Sequence, residues 1–489
     1  MVRLPFFKLS SVNNIKGIVM SSNTTAYQGN SRLVLGIVLL VLTFWMFAQS
    51  MQATLIPIIS KDFGISDDPA KMDLLNFAAS ITPLFSAACI VAAGGLADRF
   101  GRMRFAFIGV ILSVIGSIMV ALSPGVELLI LARSIQGISA ACIMPSTIAL
   151  MKTYFEGKKQ ATALTWWSVG SWGGSGFCAI LVGLIEPRFG WQAIYWISAV
   201  VAIIGLLLML GTPESRAAAT DKKFDSLGSA IFIASLIALV LAVSKGRSWG
   251  YGDFRFLGSM AFAIVGLISF YFVEKSAPGK NIAQLIDFSL FRSRGYFGAT
   301  LSNFLLNAIA GAMVIVNTYM INGRGFTTGD VATITITYAV AVLVLLPVGQ
   351  KILFLFGGRL PMIIGTIVTF SGVILMSLTH IESASLYKIL VVTGYAMFGL
   401  GLGIYATPST YTAVSSAPQE KAAVAAGIYK LASSLGGAMG VALSLAVYSA
   451  FEDVHQAGAA GLWLNVGFGV VALISILFII PRNTAQKAE

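Results

Sequence analysis

Apolar runs of about twenty residues, separated by short polar loops, recur along nearly the whole chain. A helix needs roughly 20 apolar residues to cross the hydrocarbon core of a bilayer. The pattern predicts fourteen such spans, at 33–59, 74–96, 104–123, 128–151, 162–185, 191–211, 226–244, 256–273, 297–318, 330–350, 361–379, 387–409, 424–450 and 460–480. The chain is therefore expected to be an all-α polytopic membrane protein. If the N-terminus is inside, the cytoplasmic segments hold 22 Lys and Arg and the outer loops 8, with Arg133 and Lys430 inside spans. That asymmetry predicts that both termini are cytoplasmic, although the outer loop from Lys245 to Arg255 runs mildly against it.

An internal echo groups the spans. Pro145-Ser146-Thr147 in the fourth recurs as Pro408-Ser409-Thr410 in the twelfth, and each proline lies 28 residues before a Gly-Gly pair, Gly173-Gly174 and Gly436-Gly437. Lys158 falls opposite Lys421, and Gly101-Arg102 has a counterpart in Gly358-Arg359. Duplication predicts a 6+2+6 arrangement: a cytoplasmic tail at 1–32, a six-helix half at 33–211, an inserted helix pair with its flanking loops at 212–296, a second half at 297–480 and a tail at 481–489. Parallel halves of this kind occur in secondary transporters that bind substrate at mid-membrane.

Composition agrees. Of 489 residues, 57% are hydrophobic and only 11% charged, at a mean hydropathy of +0.86, where a soluble domain carries about a quarter charged residues. The net charge of +12 lies in short loops and reads as an orientation signal rather than as affinity for nucleic acid. Cys89, Cys142 and Cys178 all fall inside apolar runs and suggest packing, not a disulfide framework or a metal site. The polar N-terminus lacks the apolar core of a cleavable signal peptide; Met20 is a plausible alternative start.

Three stretches carry candidate chemistry. The first is Gly94-Gly95-Leu96-Ala97-Asp98-Arg99-Phe100-Gly101-Arg102-Met103-Arg104, between the second and third spans. Gly94 and Gly95 allow close helix approach, Gly101 a sharp turn, and Asp98 can accept from helix N-terminal amides and pair with Arg99, Arg102 or Arg104. The second is Arg133 in the fourth span; a charge at that depth is costly and usually functional, unless it snorkels outward. The third is the glycine-rich run Gly170, Gly173, Gly174 and Gly176 in the fifth, which offers a G-x-x-x-G packing face.

The first stretch resembles the signature loop of the major facilitator superfamily, G-x-L-a-D-r-x-G-r-(+)-(+), departing only at Met103. In that family the loop latches the cytoplasmic side, with the position of Asp98 at the centre. Leu131-Ala132-Arg133-Ser134-Ile135-Gln136-Gly137 resembles the family's fourth-helix motif, whose arginine is tied to proton transfer. The run from Ser168 to Gly176 resembles the antiporter signature, with Ser175 in place of its proline and Cys178-Ala179 in place of its last glycines. Phe224-Asp225-Ser226-Leu227-Gly228 and Trp249-Gly250-Tyr251 are similar to the fourteen-helix drug:proton antiporters.

No Asp or Glu lies in the central part of any span. Many fourteen-helix drug antiporters carry an aspartate in the first helix; here Ala48 takes that place, beside Gln49. A proton-coupled exporter needs a titratable group that meets each side in turn, and the nearest acids sit at helix ends: Asp73, Glu127, Glu186 and Asp330 outside, Asp98 inside. Glu127 with Arg133 is the preferred pair, Asp98 the second candidate, and each acid could equally be a solvated end charge. The expected cavity liners are Trp45, Gln49, Gln52, Asn76, Met144, Asn303, Asn307, Tyr338, Tyr405, Tyr429 and Lys430. Such an apolar pocket with few polar groups suits amphipathic, neutral or zwitterionic drugs.

The resemblance thus implies a bacterial inner-membrane exporter of amphipathic drugs such as quinolones, with biocides and dyes as further substrates. It would be a monomer in the lipid bilayer, driven by the proton gradient without a cofactor. No Walker-type loop for ATP is present. A same-fold transporter of an organic acid or peptide is the alternative, with Lys430 as the carboxylate anchor. An enzyme is not expected, because no metal cluster or Ser/His/Asp set falls at membrane depth.

Overall fold

The computed structural model describes residues 29–51, 55–173, 182, 184–217, 223–280 and 282–482. Its helices are α1 (Ser31–Ser50), α2 (Ile56–Asp62), α3 (Pro69–Phe100), α4 (Arg102–Ala121), α5 (Val126–Tyr154), α6 (Gly157–Ser168), α7 (Gln192–Met209), α8 (Ser226–Trp249), α9 (Phe254–Ser276), α10 (Arg294–Ala308), α11 (Gly311–Arg324), α12 (Thr328–Phe356), α13 (Arg359–Met376), α14 (Ala384–Ser416), α15 (Ala422–Tyr448) and α16 (Val454–Ile479). Among the described residues, twelve helical segments are long and apolar enough to cross a membrane. They coincide with twelve of the fourteen expected spans. The other two, 33–59 and 162–185, run into residues outside the described ones.

Local chemistry sets the helix ends. Asp68 caps α3, its carboxylate accepting from the amides of Ala70 and Lys71, with Pro69 in the first turn. Thr327 and Asp330 form a capping box at the start of α12. The expected span at 297–318 is split into α10 and α11, where the Asn307 amide turns back onto the Asn303 carbonyl, 2.7 Å away. Exposed apolar side chains recur at helical spacing: Ile108, Ile111 and Ile115 on α4, and Val200, Ile203, Ile204 and Leu207 on α7. These faces meet lipid.

The sequence echo has a counterpart in packing. α5 packs on both α3 and α4, and α14 likewise on both α12 and α13. Prolines stand inside helices at matching places, Pro83 in α3 and Pro347 in α12, Pro145 in α5 and Pro408 in α14. Each echoed threonine bonds an aromatic on a later helix: the Trp167 Nε1 donates to Thr147 Oγ1 at 3.1 Å, and Thr410 and Tyr429 share a hydrogen at 3.3 Å. One short parallel pairing accompanies the helices: β1 (Lys223–Phe224) pairs with β2 (Ile282–Ala283). They tie together the segments that lead into α8 and out of α9.

Candidate functional site: an interhelical latch

The loop between α3 and α4 closes on the start of α15. Asp98, 5% exposed, accepts from the amides of Ala423 at 3.0 and 3.1 Å and Val424 at 2.9 Å. These are amides that a helix start leaves free, and its dipole favours an anion there. Arg102, 2% exposed, donates from Nε to Asp98 at 2.9 Å and brings a terminal nitrogen to 2.7 Å. The same guanidinium donates to Thr153 Oγ1 at 2.6 Å and to the Gln419 carbonyl at 2.7 Å. One buried ion pair thus joins the ends of α3 and α5 to the segment that opens α15.

The glycines are there because nothing larger fits. A Cβ on Gly94 would lie 2.6 Å from the Ala423 carbonyl oxygen, so backbone meets backbone at the latch. Gly101 has φ of +128°, a conformation open mainly to glycine, and a Cβ there would lie 2.5 Å from the Glu214 carboxyl carbon. Gly95 faces Leu285 and Val424, where a Cβ would meet a Leu285 methyl closely, at 3.3 Å. Arg104 is exposed and stands 3.8 Å from Glu214. Arg99 instead lies over the Phe100 ring, 5.5 Å from its centroid.

Two latch residues were missed by sequence reasoning. Glu214 follows α7 and accepts from the amides of Met103 at 2.9 Å and Arg104 at 3.0 Å, capping the start of α4 from a distant segment. Lys152, near the end of α5, donates to the carbonyls of Val414, at 2.6 Å, and Ala417 at the end of α14, where carbonyls attract a cation. Lys152 lies one residue past the expected fourth span, 128–151, and no local pattern there marks it beyond its charge. At the same end, Gln350 donates to Thr162 Oγ1 at 2.7 Å. The second copy of the loop has no such latch: Leu355, at the place of Asp98, is 73% exposed, and Arg359 reaches the Leu477 carbonyl.

Arg133 is completely buried and turns toward α3. It donates to the carbonyls of Ala78 and Ala79, each at 3.3 Å, and to Gln136 Oε1 at 3.2 Å. Pro83 has no amide to offer Ala79 four residues back, so the guanidinium meets a carbonyl that the proline leaves open. Glu127 is exposed in the first turn of α5, six residues from the buried arginine. Gly170 supports close packing, since a Cβ would lie 3.1 Å from the Val38 carbonyl of α1. Gly173 ends a π-helical turn, Val169–Gly173, of the kind often found at functional sites. Gly174 and Gly176 lie outside the described residues.

Of the expected liners, four gather in one network. Asn303 donates to the Tyr429 carbonyl at 3.0 Å and to Ser433 Oγ at 2.6 Å, and Asn307 donates to Asn303. Tyr405 shares hydrogens with Ser302 at 2.7 Å and Ser409 at 3.0 Å, and Tyr429 donates to Ser409 at 2.9 Å. These polar groups satisfy one another between α10, α14 and α15. Met144 is buried, Asn76 exposed, and Tyr338 stacks edge-on with Phe398. Lys430 on α15 reaches the α6 side: its Nζ lies 3.3 Å from Ser171 Oγ and 5.0 Å from the centroid of the Trp167 ring. Gln52 and the side chains of Trp45 and Gln49 lie outside the described residues.

Comparison with known proteins agrees with this geometry. The family model described as Major Facilitator Superfamily matches residues 38–441. The chain is 44% identical over 461 residues to the quinolone resistance protein NorB of Staphylococcus aureus strain MRSA252, covering 94% of this chain and 97% of that one. The match to NorB of strain MW2 is 44% over 462 residues, with the same coverage. Among solved structures, the human organic anion transporter MFSD10 superposes with a TM-score of 0.65 at 15% identity, over 92% of this chain and 100% of that one. The proton:xylose symporter XylE superposes equally well at 15% identity, over 92% of this chain and 95% of that one. This multi-pass membrane protein, whose signature loop and helical architecture coincide with those of the family, belongs to the Major Facilitator Superfamily.

Proposed function

We propose that this protein exports amphipathic drugs, quinolone-like compounds foremost, from the bacterial cytoplasm across the inner membrane in exchange for protons. The observation that carries the reading is the latch: a buried Asp98–Arg102 pair that ends one half of the molecule on the helix start of the other. Among the described residues, the hydrogen bonds between residues 33–211 and 297–480 cluster at that end, apart from Lys430 to Ser171 at mid-depth. Such a set suits two six-helix halves that rock about a central site. The distribution of Lys and Arg supports a cytoplasmic latch, with both termini on the same side. The chain would then have fourteen spans, with α8 and α9 as the inserted pair, and would work as a monomer.

The similarity to NorB supports quinolones as substrates, and the pocket chemistry extends the range to neutral or zwitterionic biocides and dyes. Trp45, Gln49, Gln52, Asn76, Met144 and Tyr338 are proposed liners beside the Asn303–Tyr429 network. Lys430 would meet a drug carboxylate. Arg133, Glu127 and Asp98 are the candidates for proton coupling, and Gly170, Gly173, Gly174 and Gly176 would form the antiporter motif's packing face. Lys430 also favours a second reading, export of an organic acid or peptide. Inverted vesicles with an imposed pH gradient test both: drug uptake should follow the gradient and collapse with a protonophore. Uptake of simple organic acids with no drug transport would establish the second reading instead.

A further inference from the structure

The inserted helix pair holds two buried acids that the latch does not use. α9 is mostly lipid-facing; of its 23 residues only Ala263, Phe270 and Glu274 are buried. Glu274 is completely buried and Asp225, the cap residue of α8, is 3% exposed. Each carboxylate has one satisfied oxygen: Glu274 Oε1 accepts from the Leu285 amide at 2.8 Å, and Asp225 Oδ1 from the Gly228 amide at 2.8 Å. Among the described residues, the other two oxygens, Glu274 Oε2 and Asp225 Oδ2, are buried with no donor, and the β1–β2 pairing, which sets Phe224 beside Ala283, brings Asp225 to the segment whose Leu285 amide Glu274 holds. Two facing anions at that depth would repel strongly, with only a few backbone amides, of Leu285, Ile286 and Gly228, in place of their hydration.

Among the described side chains, no neighbouring cation pairs with either acid. Lys275, next on α9, is exposed. Asp287, beyond β2, is held by Lys421 from the segment before α15. Lys223 on β1 and Lys280 after α9 have side chains outside the described residues, and the nearer acid to Glu274 is Asp225 itself. What the geometry lacks is one hydrogen between two oxygens.

We propose that Asp225 and Glu274 form a proton-binding site in which a single proton is shared between Asp225 Oδ2 and Glu274 Oε2. The site is joined to the latch by the strap 282–287. Leu285, whose amide bonds Glu274, packs a methyl 3.3 Å from where a Gly95 Cβ would stand. Asp287 then holds Lys421, two residues before the Ala423 amide that Asp98 accepts. Loss of the proton would leave two like charges under the strap and loosen its hold on the loop. The assignment rests on this side-chain geometry and stands whether or not the transported substrate is a quinolone.

Infrared difference spectroscopy on the full-length protein in nanodiscs tests it, stepping the pH from about 5 to about 10, across the range of ordinary and raised carboxyl titrations. Wild type is expected to lose one protonated-carboxyl band, shifted by deuterium, as pH rises. Glu274→Gln should lack that band at every pH, its amide donating to an ionised Asp225. Asp225→Asn should keep the band but lower its titration midpoint by about one pH unit or more, since the like charge is gone. Glu274→Gln replaces the shared hydrogen with an amide hydrogen, so its melting temperature at low pH should match wild type and report intact folding. No band in wild type, an unchanged midpoint in Asp225→Asn, or a wild-type band in Glu274→Gln overturns the proposal.

Discussion

Asp98 and Arg102 illustrate how a single pair can hold two distant elements. A buried carboxylate that receives three amide contacts and a guanidinium is stabilised only while all of them stay in place. Asp98→Asn keeps the shape but removes the charge, and should cost the closed latch about 1–3 kcal/mol. At about 1.4 kcal/mol per tenfold, that is a shift of roughly fivefold to somewhat over a hundredfold toward the open end. A cysteine at Val414, in a chain without Cys89, Cys142 and Cys178, should then label faster with an impermeant maleimide from the latch side. Unchanged labelling would mean that Asp98 does not hold the closure. Glu214 acts one step further out: Glu214→Gln keeps an acceptor for the Met103 or Arg104 amide, whereas Glu214→Ala leaves both open. The alanine variant should therefore open the latch more than the glutamine variant in the same labelling assay.

Between elements, the latch depends on contacts that leave no room and on a strap that depends on charge. Gly94→Val would place a branched side chain where a Cβ alone comes within 2.6 Å of the Ala423 carbonyl. It should abolish transport while leaving a monodisperse, folded protein, because only the closed arrangement is obstructed. The strap's ion pair has a pH dependence of known sign. Partial burial tends to raise the Asp287 carboxyl, but hydrogen bonds from Lys421 and Ser289 outweigh it and hold the group below the ordinary carboxylate value. Its contribution is therefore complete above the unfolded value of about 3.9 and is lost as pH falls through the lower folded value. With both partners partly exposed, Asp287→Asn should cost only about 0.2–1 kcal/mol at neutral pH. The difference in melting temperature between the variant and wild type should vanish only in strong acid. The elements also mark what could be read in advance. Span positions and the glycine–aspartate loop are local patterns, so hydropathy and spacing exposed them. Lys152, Glu214 and Glu274 act through partners far away in sequence, and no local pattern distinguishes them from solvated end charges. Tyr405 and Tyr429 were visible as aromatics within spans, but whether their hydroxyls turn to a cavity or to Ser302, Ser409 and Thr410 is decided only by packing.

At the scale of the whole molecule, the question is what stands in for the missing mid-membrane acid. A single central carboxylate would favour cationic drugs and could also carry the proton. Among the described residues, a lysine of α15 instead faces the α6 side, where Lys430 meets Ser171 and the face of Trp167, and the buried acids Asp98, Asp225 and Glu274 lie near the latch. Substrate charge and proton handling would then be separated along the transport axis, with an anionic group of the drug held at the centre. Fluoroquinolone-like zwitterions should accordingly be moved better than permanently charged dications of similar size. In inverted vesicles, Lys430→Gln should lower uptake of the zwitterion by about tenfold or more, the cost of about 1.5–3 kcal/mol for a lost charged hydrogen bond, and leave a neutral amphipathic drug within about twofold. Asp98→Asn and Glu127→Gln, measured beside it, address the other half of the cycle. If proton movement is handled at the latch, Asp98→Asn should release drug uptake from its dependence on the gradient, and if at the outer end of α5, Glu127→Gln should. Better transport of dications than of zwitterions, or equal loss of all substrates in Lys430→Gln, would overturn the separation of roles.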